Sequence, residues 1–212
     1  MWLTRAQCNQ ALFVAAEQGN TRVARRLLQR GRWLRRARLR ARVRARNQDG
    51  WTALHQAAAY GHDDIVRLLL DSGAEVDAPN YRGVRPLEYA ACYGHAGTAR
   101  LLARRGARHT VHTAAAVGEV GELRRLLDEG RSPDGLDYLG YRPLHWAARH
   151  GQLEAARVLL QHGGNPYLND VNGETPYERA MQWDEAEVAE LMREYAGGAP
   201  DGESQRLFRH AS

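Results

Sequence analysis

The chain has 212 residues, 43% apolar and 26% charged, a globular composition that excludes a disordered or collagenous chain. Its 30 basic residues are all Arg, against 25 acids, for a net charge of +5. Without Lys, neither a Schiff base nor a P-loop lysine can be built. No apolar run approaches about 18 residues, so no membrane-spanning helix is expected. The opening Met1-Trp2-Leu3-Thr4-Arg5 lacks the basic-then-apolar order of a secretory signal. Two cysteines, Cys8 and Cys92, make no disulfide framework, and the expected setting is reducing and cytoplasmic.

Charge is distributed unevenly. Residues 1–50 hold 13 Arg against Glu17 and Asp49, a balance of +11, whereas residues 51–212 hold 17 Arg against 23 acids, a balance of −6.

In chain order, the first predicted element is a helix closing on Ala15-Ala16-Glu17-Gln18-Gly19, followed by a second helix with Leu27 and a closing Gly31. The pair returns with Gly61, Leu69 and Gly73, with Gly94, Leu102 and Gly106, with Gly118, Leu126 and Gly130, and with Gly151, Leu159 and Gly163. A degenerate sixth copy has Asp184, Met192 and Ala196. The anchors stand 42, 33, 24, 33 and 33 residues apart, so the irregular intervals are 33 plus nine and 33 minus nine. Such agreement marks an internal repeat.

Each unit predicts helix, turn, helix and an extended finger. Pro86, Pro143 and Pro176 suit the first helical position, where the missing N–H has no partner to lose. Thr175 and Glu178 form a capping box. Paired alanines let a second helix come close, and the anchor Gly permits the tight turn. Asn47 to Gly50, Asn80 to Gly83, Asp137 to Gly140 and Asp170 to Gly173 are Asx-plus-Gly turns at finger tips.

The pattern resembles the ankyrin repeat over roughly residues 9–196, best in Asp49 through Asp77. The resemblance implies an all-α repeat solenoid, an ankyrin-type helix-turn-helix stack with short β-hairpin fingers. The repeats fall at roughly 9–49, 50–82, 83–106, 107–139, 140–172 and 173–196, within a single domain 1–196 and before a flexible tail 197–212. Arg85, His109 and Arg142 replace the motif Thr, and Glu88 and Glu178 its His, so weaker capping is expected there. His55, His112 and His145 occupy the motif His, which the family uses for hydrogen bonds between turns. No phosphate loop, nucleophile elbow or zinc-binding signature occurs. No catalytic, cofactor or metal site is expected, and the chain is expected not to be an enzyme.

The expected function is protein–protein interaction through the concave groove and finger tips. The variable positions there carry Trp51, Tyr60, Tyr81, Arg82, Tyr93, Tyr138, Tyr141, Arg149, His150 and Trp183, and exposed aromatics beside Arg are what interface hot spots use. Within this set, Tyr60, Tyr93 and His150 are expected to group, with Trp51 and Tyr81 above them. The expected partner is a protein with an acidic patch, and the unpartnered chain is expected to be a monomer.

The nine extra residues fall in segment 32–46, where Arg36, Arg38, Arg40, Arg42, Arg44 and Arg46 alternate with Ala37, Leu39, Ala41, Val43 and Ala45 beyond Arg35. Period two is a strand pattern, and a helix would spread the Arg on all sides. Strand or disorder is expected. The segment reads as a solvated loop, as an arm for an acidic partner, or as a phosphate contact on nucleic acid or another anionic surface. The nine missing residues fall between Gly106 and Gly118, where residues 106–110 leave no room for a finger.

Overall fold

Side-chain capping starts several of the helices, as at Thr4, Thr110 and Thr175, and small residues let them stack. The computed structural model describes residues 4–29 and 43–197. The chain divides into two compact units, Met1–Arg108 and His109–Ser212. The described part of the first holds α1 (Arg5–Glu17), α2 (Thr21–Gln29), α3 (Ala53–Ala59), α4 (Asp63–Asp71), α5 (Pro86–Cys92) and α6 (Ala96–Arg104). The second holds α7 (Val111–Val117), α8 (Val120–Asp128), α9 (Pro143–Arg149), α10 (Leu153–Gln161), α11 (Pro176–Gln182) and α12 (Ala186–Gly197).

Inside each unit the helices form two rows. In the first, α3 packs between α1 and α5, while α4 packs between α2 and α6. In the second, α9 packs between α7 and α11, and α10 between α8 and α12. Paired alanines make the first row possible: Ala57, Ala58, Ala90, Ala147 and Ala148 are wholly or almost wholly buried, where a larger side chain would push neighbouring helices apart. The second row contributes bulk through Ile65, Leu69 and Leu102 in one unit and Leu123, Leu126, Val158, Leu159 and Met192 in the other.

The caps follow the sequence in part, and the weaker capping expected at Glu178 and His109 does not occur. Thr175 Oγ1 accepts the Glu178 N–H at 3.2 Å, and the Glu178 carboxylate accepts the Thr175 N–H at 2.7 Å. At Arg85 half of the box survives, because Glu88 accepts the Arg85 N–H at 2.9 Å. The loss expected at His109 does not occur. Helix α7 starts one residue later in the repeat, and Thr110 and Thr113 cap each other through N–H bonds of 2.8 and 3.1 Å.

The β-hairpin fingers do not appear as strands; among the described residues there is none. Each finger is a loop closed by an Asx residue. The Asp137 N–H donates to the Tyr141 carbonyl at 2.9 Å, and the Gly140 N–H to the Asp137 carbonyl at 3.0 Å. Asp137 Oδ1 also accepts the N–H groups of Leu139 and Tyr141, each at 2.9 Å. Bonds to a side chain take the place of the repeated ladder a strand pair would need. Single bonds then join neighbouring tips, Tyr81 N–H to the Asp49 carbonyl and Val171 N–H to the Gly140 carbonyl, both at 3.2 Å.

Most of the Arg-rich segment lies outside the described residues, and so does the tail expected over 197–212, apart from Gly197, which ends α12. The four described residues of the segment are not strand: Val43 is in helical conformation and 1% exposed, and Arg44 to Arg46 run through a turn into irregular backbone.

Candidate functional site

Histidines tie each unit together. His55, His112 and His145 place Nε2 at 3.1, 2.7 and 2.9 Å from the carbonyls of Val84, Gly135 and Glu174. A carbonyl only accepts, so Nε2 carries the proton in all three. His55 Nδ1 then accepts the Thr52 N–H at 3.0 Å. A second set reaches back, with His62 Nε2 at 2.9 Å from the Glu17 carbonyl and His95 Nε2 at 3.1 Å from the Ala59 carbonyl. Burial disfavours the charged ring, and Arg46 adds to this, although the Val84 carbonyl favours it; the His55 pKa falls to about 4. Burial likewise lowers His112 and His145. These rings are struts. Among the described residues no group of three His, Cys, Asp or Glu side chains is arranged to hold a metal ion.

In the first unit, Trp51, Tyr60 and Tyr93 line one groove of about 510 Å³ with Asn47, Asp49, Gln56, Ala59 and His95. Tyr60 and Tyr93 stand immediately before the anchor glycines and are 49% and 56% exposed. Tyr60 stacks on His62, with centroids 6.2 Å apart and planes 7° from parallel. Trp51 is half-buried, its ring centroid 4.2 Å from that of Tyr89. Tyr81 and Arg82 are exposed on the next loop and are not among the residues lining the groove.

In the second unit, Arg149, His150 and Trp183 come together around Trp146. The Arg149 guanidinium carbon lies 5.4 Å from the Trp146 centroid and 4.8 Å from that of Trp183. His150 stacks on Trp146 at 5.9 Å and 8°. Trp146 is 4% exposed and donates from Nε1 to Asp137 Oδ2 at 2.7 Å. His150 belongs to this cluster within the second unit. Tyr141 is half-buried support: its hydroxyl accepts from Asn172 Nδ2 at 3.2 Å and its ring lies 5.1 Å beneath the Arg179 guanidinium. Tyr138 is exposed at the loop tip.

Tyr89, Trp146 and Arg179 are site-supporting residues that the sequence reading missed. Each stands nine residues after a loop Asx and bonds it: Asn80 Nδ2 donates to the Tyr89 hydroxyl at 2.9 Å, Trp146 donates to Asp137, and Arg179 donates to Asp170. That spacing, with donor matched to acceptor, was a legible signal. Burial of the phenol raises the Tyr89 pKa, against the Asn80 bond.

Of the proposed arm, Arg35, Arg36, Arg38, Arg40 and Arg42 lie outside the described residues, and Arg44 is exposed. Arg46 is a clamp, donating to the Gly50 carbonyl at 2.9 Å and to the Pro79 carbonyl. Basic charge is nevertheless displayed on α2, where Thr21, Arg22, Arg25 and Arg26 line an open concavity of about 700 Å³.

A family model described as ankyrin repeats in three copies matches residues 12–113 and 111–201. The chain belongs to the ankyrin-repeat family. Proteins of this family are generally protein–protein interaction modules and typically not enzymes. No curated protein matches the chain. No helix among the described residues is long and apolar enough to cross a membrane.

Proposed function

We propose that this protein is a non-enzymatic binding module that takes a partner protein on the inner helix ends and loops of its repeats. The observation that carries the reading is a register: Tyr60, Tyr93 and Trp183 occupy the same place, directly before the anchor residue, and remain about half exposed. Large aromatics lose little conformational freedom on docking, which is why they dominate interface energetics. The partner carries an acidic patch that faces the Arg-rich segment and the exposed Arg22, Arg25 and Arg26. Charge there mainly speeds encounter, while the aromatic faces set the residence time. We place this function in the cytoplasm, on the two-cysteine composition.

The test is affinity capture with the full chain, followed by calorimetric titration of the recovered partner. Replacing Tyr60 and Tyr93 together by Ala is expected to weaken binding by about 2 kcal/mol or more while unfolding stays cooperative. Unchanged affinity would remove these helix ends from the interface.

A further inference from the structure

We infer that Arg149 is the recognition point for a carboxylate, supplied by an Asp or Glu side chain within an extended segment of the partner. This rests on the protein-binding reading above and names the chemistry of the partner at one of its surfaces. The argument starts from what the guanidinium lacks. Arg142 donates to the carbonyls of Asp134 and Asn169, Arg179 to Asp170 and Glu174, and Arg125 to Glu122 and Glu129. Arg149 is half-buried and has no hydrogen bond or ion pair among the described residues. Its contacts are two ring faces, Trp146 and Trp183.

Two indole rings lie within cation–π reach of the guanidinium, their centroids 5.4 and 4.8 Å from its carbon. Its N–H donors have no acceptor among the described residues, and their fork geometry matches a carboxylate. The cation is also held in place before any ligand arrives. Asp137 is fixed by its own loop N–H groups, Trp146 is fixed by Asp137, and Arg149 rests on Trp146. A donor fork ordered in advance loses less entropy on binding than one on a loose side chain.

A polyanion is a poor match, because nucleic acid binding recruits many cations and residues 51–212 carry a balance of −6. A side chain suits the site better than a chain end, because the cluster lies at two helix ends, Arg149 last in α9 and Trp183 just past α11 and 48% exposed, where a polypeptide can pass over it. The outer face of Trp183 offers apolar contact to the residue beside the acid.

The experiment uses the full chain and a library of random twelve-residue peptides displayed between fixed flanks, so that no free carboxyl terminus is present. Enriched peptides are expected to carry Asp or Glu next to an apolar residue. Titration should show Arg149→Met weakening such a peptide tenfold or more, with helical circular dichroism unchanged. Arg149→Lys should restore only part, because an ammonium cannot make the planar pair of parallel hydrogen bonds that a guanidinium offers a carboxylate. Changing the peptide Glu to Gln should cost a similar factor against the native chain and nothing further against Arg149→Met, since coupled partners are not additive.

Additive losses, or equal affinity for Arg149→Met, overturn the inference. If the same peptides are lost by the Tyr60 and Tyr93 double variant but not by Arg149→Met, the inference fails and the binding-module reading stands. Enrichment only from a library with free carboxyl termini overturns the assignment to a side chain. No enrichment at all overturns the inference and counts against the wider reading.

Discussion

Asp170 and Arg179 form the buried ion pair of the second unit. Arg179 also reaches the half-buried Glu174 and lies over the Tyr141 ring. Such a pair adds little net stability, but deleting one member strands the other. Arg179→Met is expected to lose about 3–5 kcal/mol in urea unfolding, and adding Asp170→Asn should recover part of that loss, because the amide oxygen still accepts the loop N–H groups. Acid acts in two stages. His55, with its pKa lowered to about 4 by burial first of all, contributes stability that is complete above the unfolded value near 6.5 and is lost as pH falls below it. Protonation also removes the Nδ1 acceptor of the Thr52 N–H. Denaturant titrations at about pH 7 and about pH 5 should differ by about 2 kcal/mol from this group alone, with His112 and His145 adding in the same direction. Burial opposes the charge on Asp170, but hydrogen bonds from Arg179 and the loop N–H groups hold its carboxyl below the usual range. Its contribution therefore survives until pH falls through the ordinary carboxylate range. A stability flat from about pH 7 to pH 5 would refute the first stage.

At the scale of the element, the anchor turn shows what stacking demands. Gly61 has φ +71°, and a Cβ there would stand 2.7 Å from His95 Nδ1. The constraint is double, a left-handed backbone and a neighbour pressed against it. Gly151 is under the same pressure from Glu185, whose carboxylate would lie 2.2 Å from an added Cβ. Asp184 holds the same turn in the last described repeat with φ +60° and a side chain. It has the backbone strain without a described repeat stacked beyond it. Gly61→Ala is therefore expected to destabilise by more than about 1 kcal/mol, because it displaces His95 as well as straining φ. Asp184→Gly should raise the melting temperature by relieving about 1 kcal/mol of left-handed strain. A lower melting temperature for Asp184→Gly would mean that its side chain makes a contact worth more than the strain.

Over the whole molecule, the two compact units meet in sequence at Arg108 and His109, inside the segment that lacks a finger. The second has its own continuous core, from Val111 and Leu123 through Leu144 and Leu159 to Met192, and its three helix pairs reach the number at which a repeat stack becomes stable. Residues 109–212 expressed alone are expected to be helical by circular dichroism and to unfold cooperatively in urea. A non-cooperative, molten fragment would show that its core needs the first unit.

Periodicity carried the fold because stacking is a local rule. Paired alanines, an anchor glycine and a leucine eight residues later state what one repeat needs from the next, and they return often enough to be read. The capping box at Thr175, the structural histidines and the exposure of Tyr60, Tyr93 and Trp183 were legible for the same reason. Three things were decided only in three dimensions. Thr110 rescued a cap by shifting a helix one residue, which no fixed alignment of repeats anticipates. Arg46 spends donors on two carbonyls, and Tyr141 meets an amide and another guanidinium, contacts within their own fold. Arg149 gained its meaning from Trp146 and Trp183, three residues away on its own helix and thirty-four away at the end of another. Sequence fixes which side chains recur at each register, but whether one is consumed by its own fold or left facing outward depends on which donors and rings the packing brings within reach.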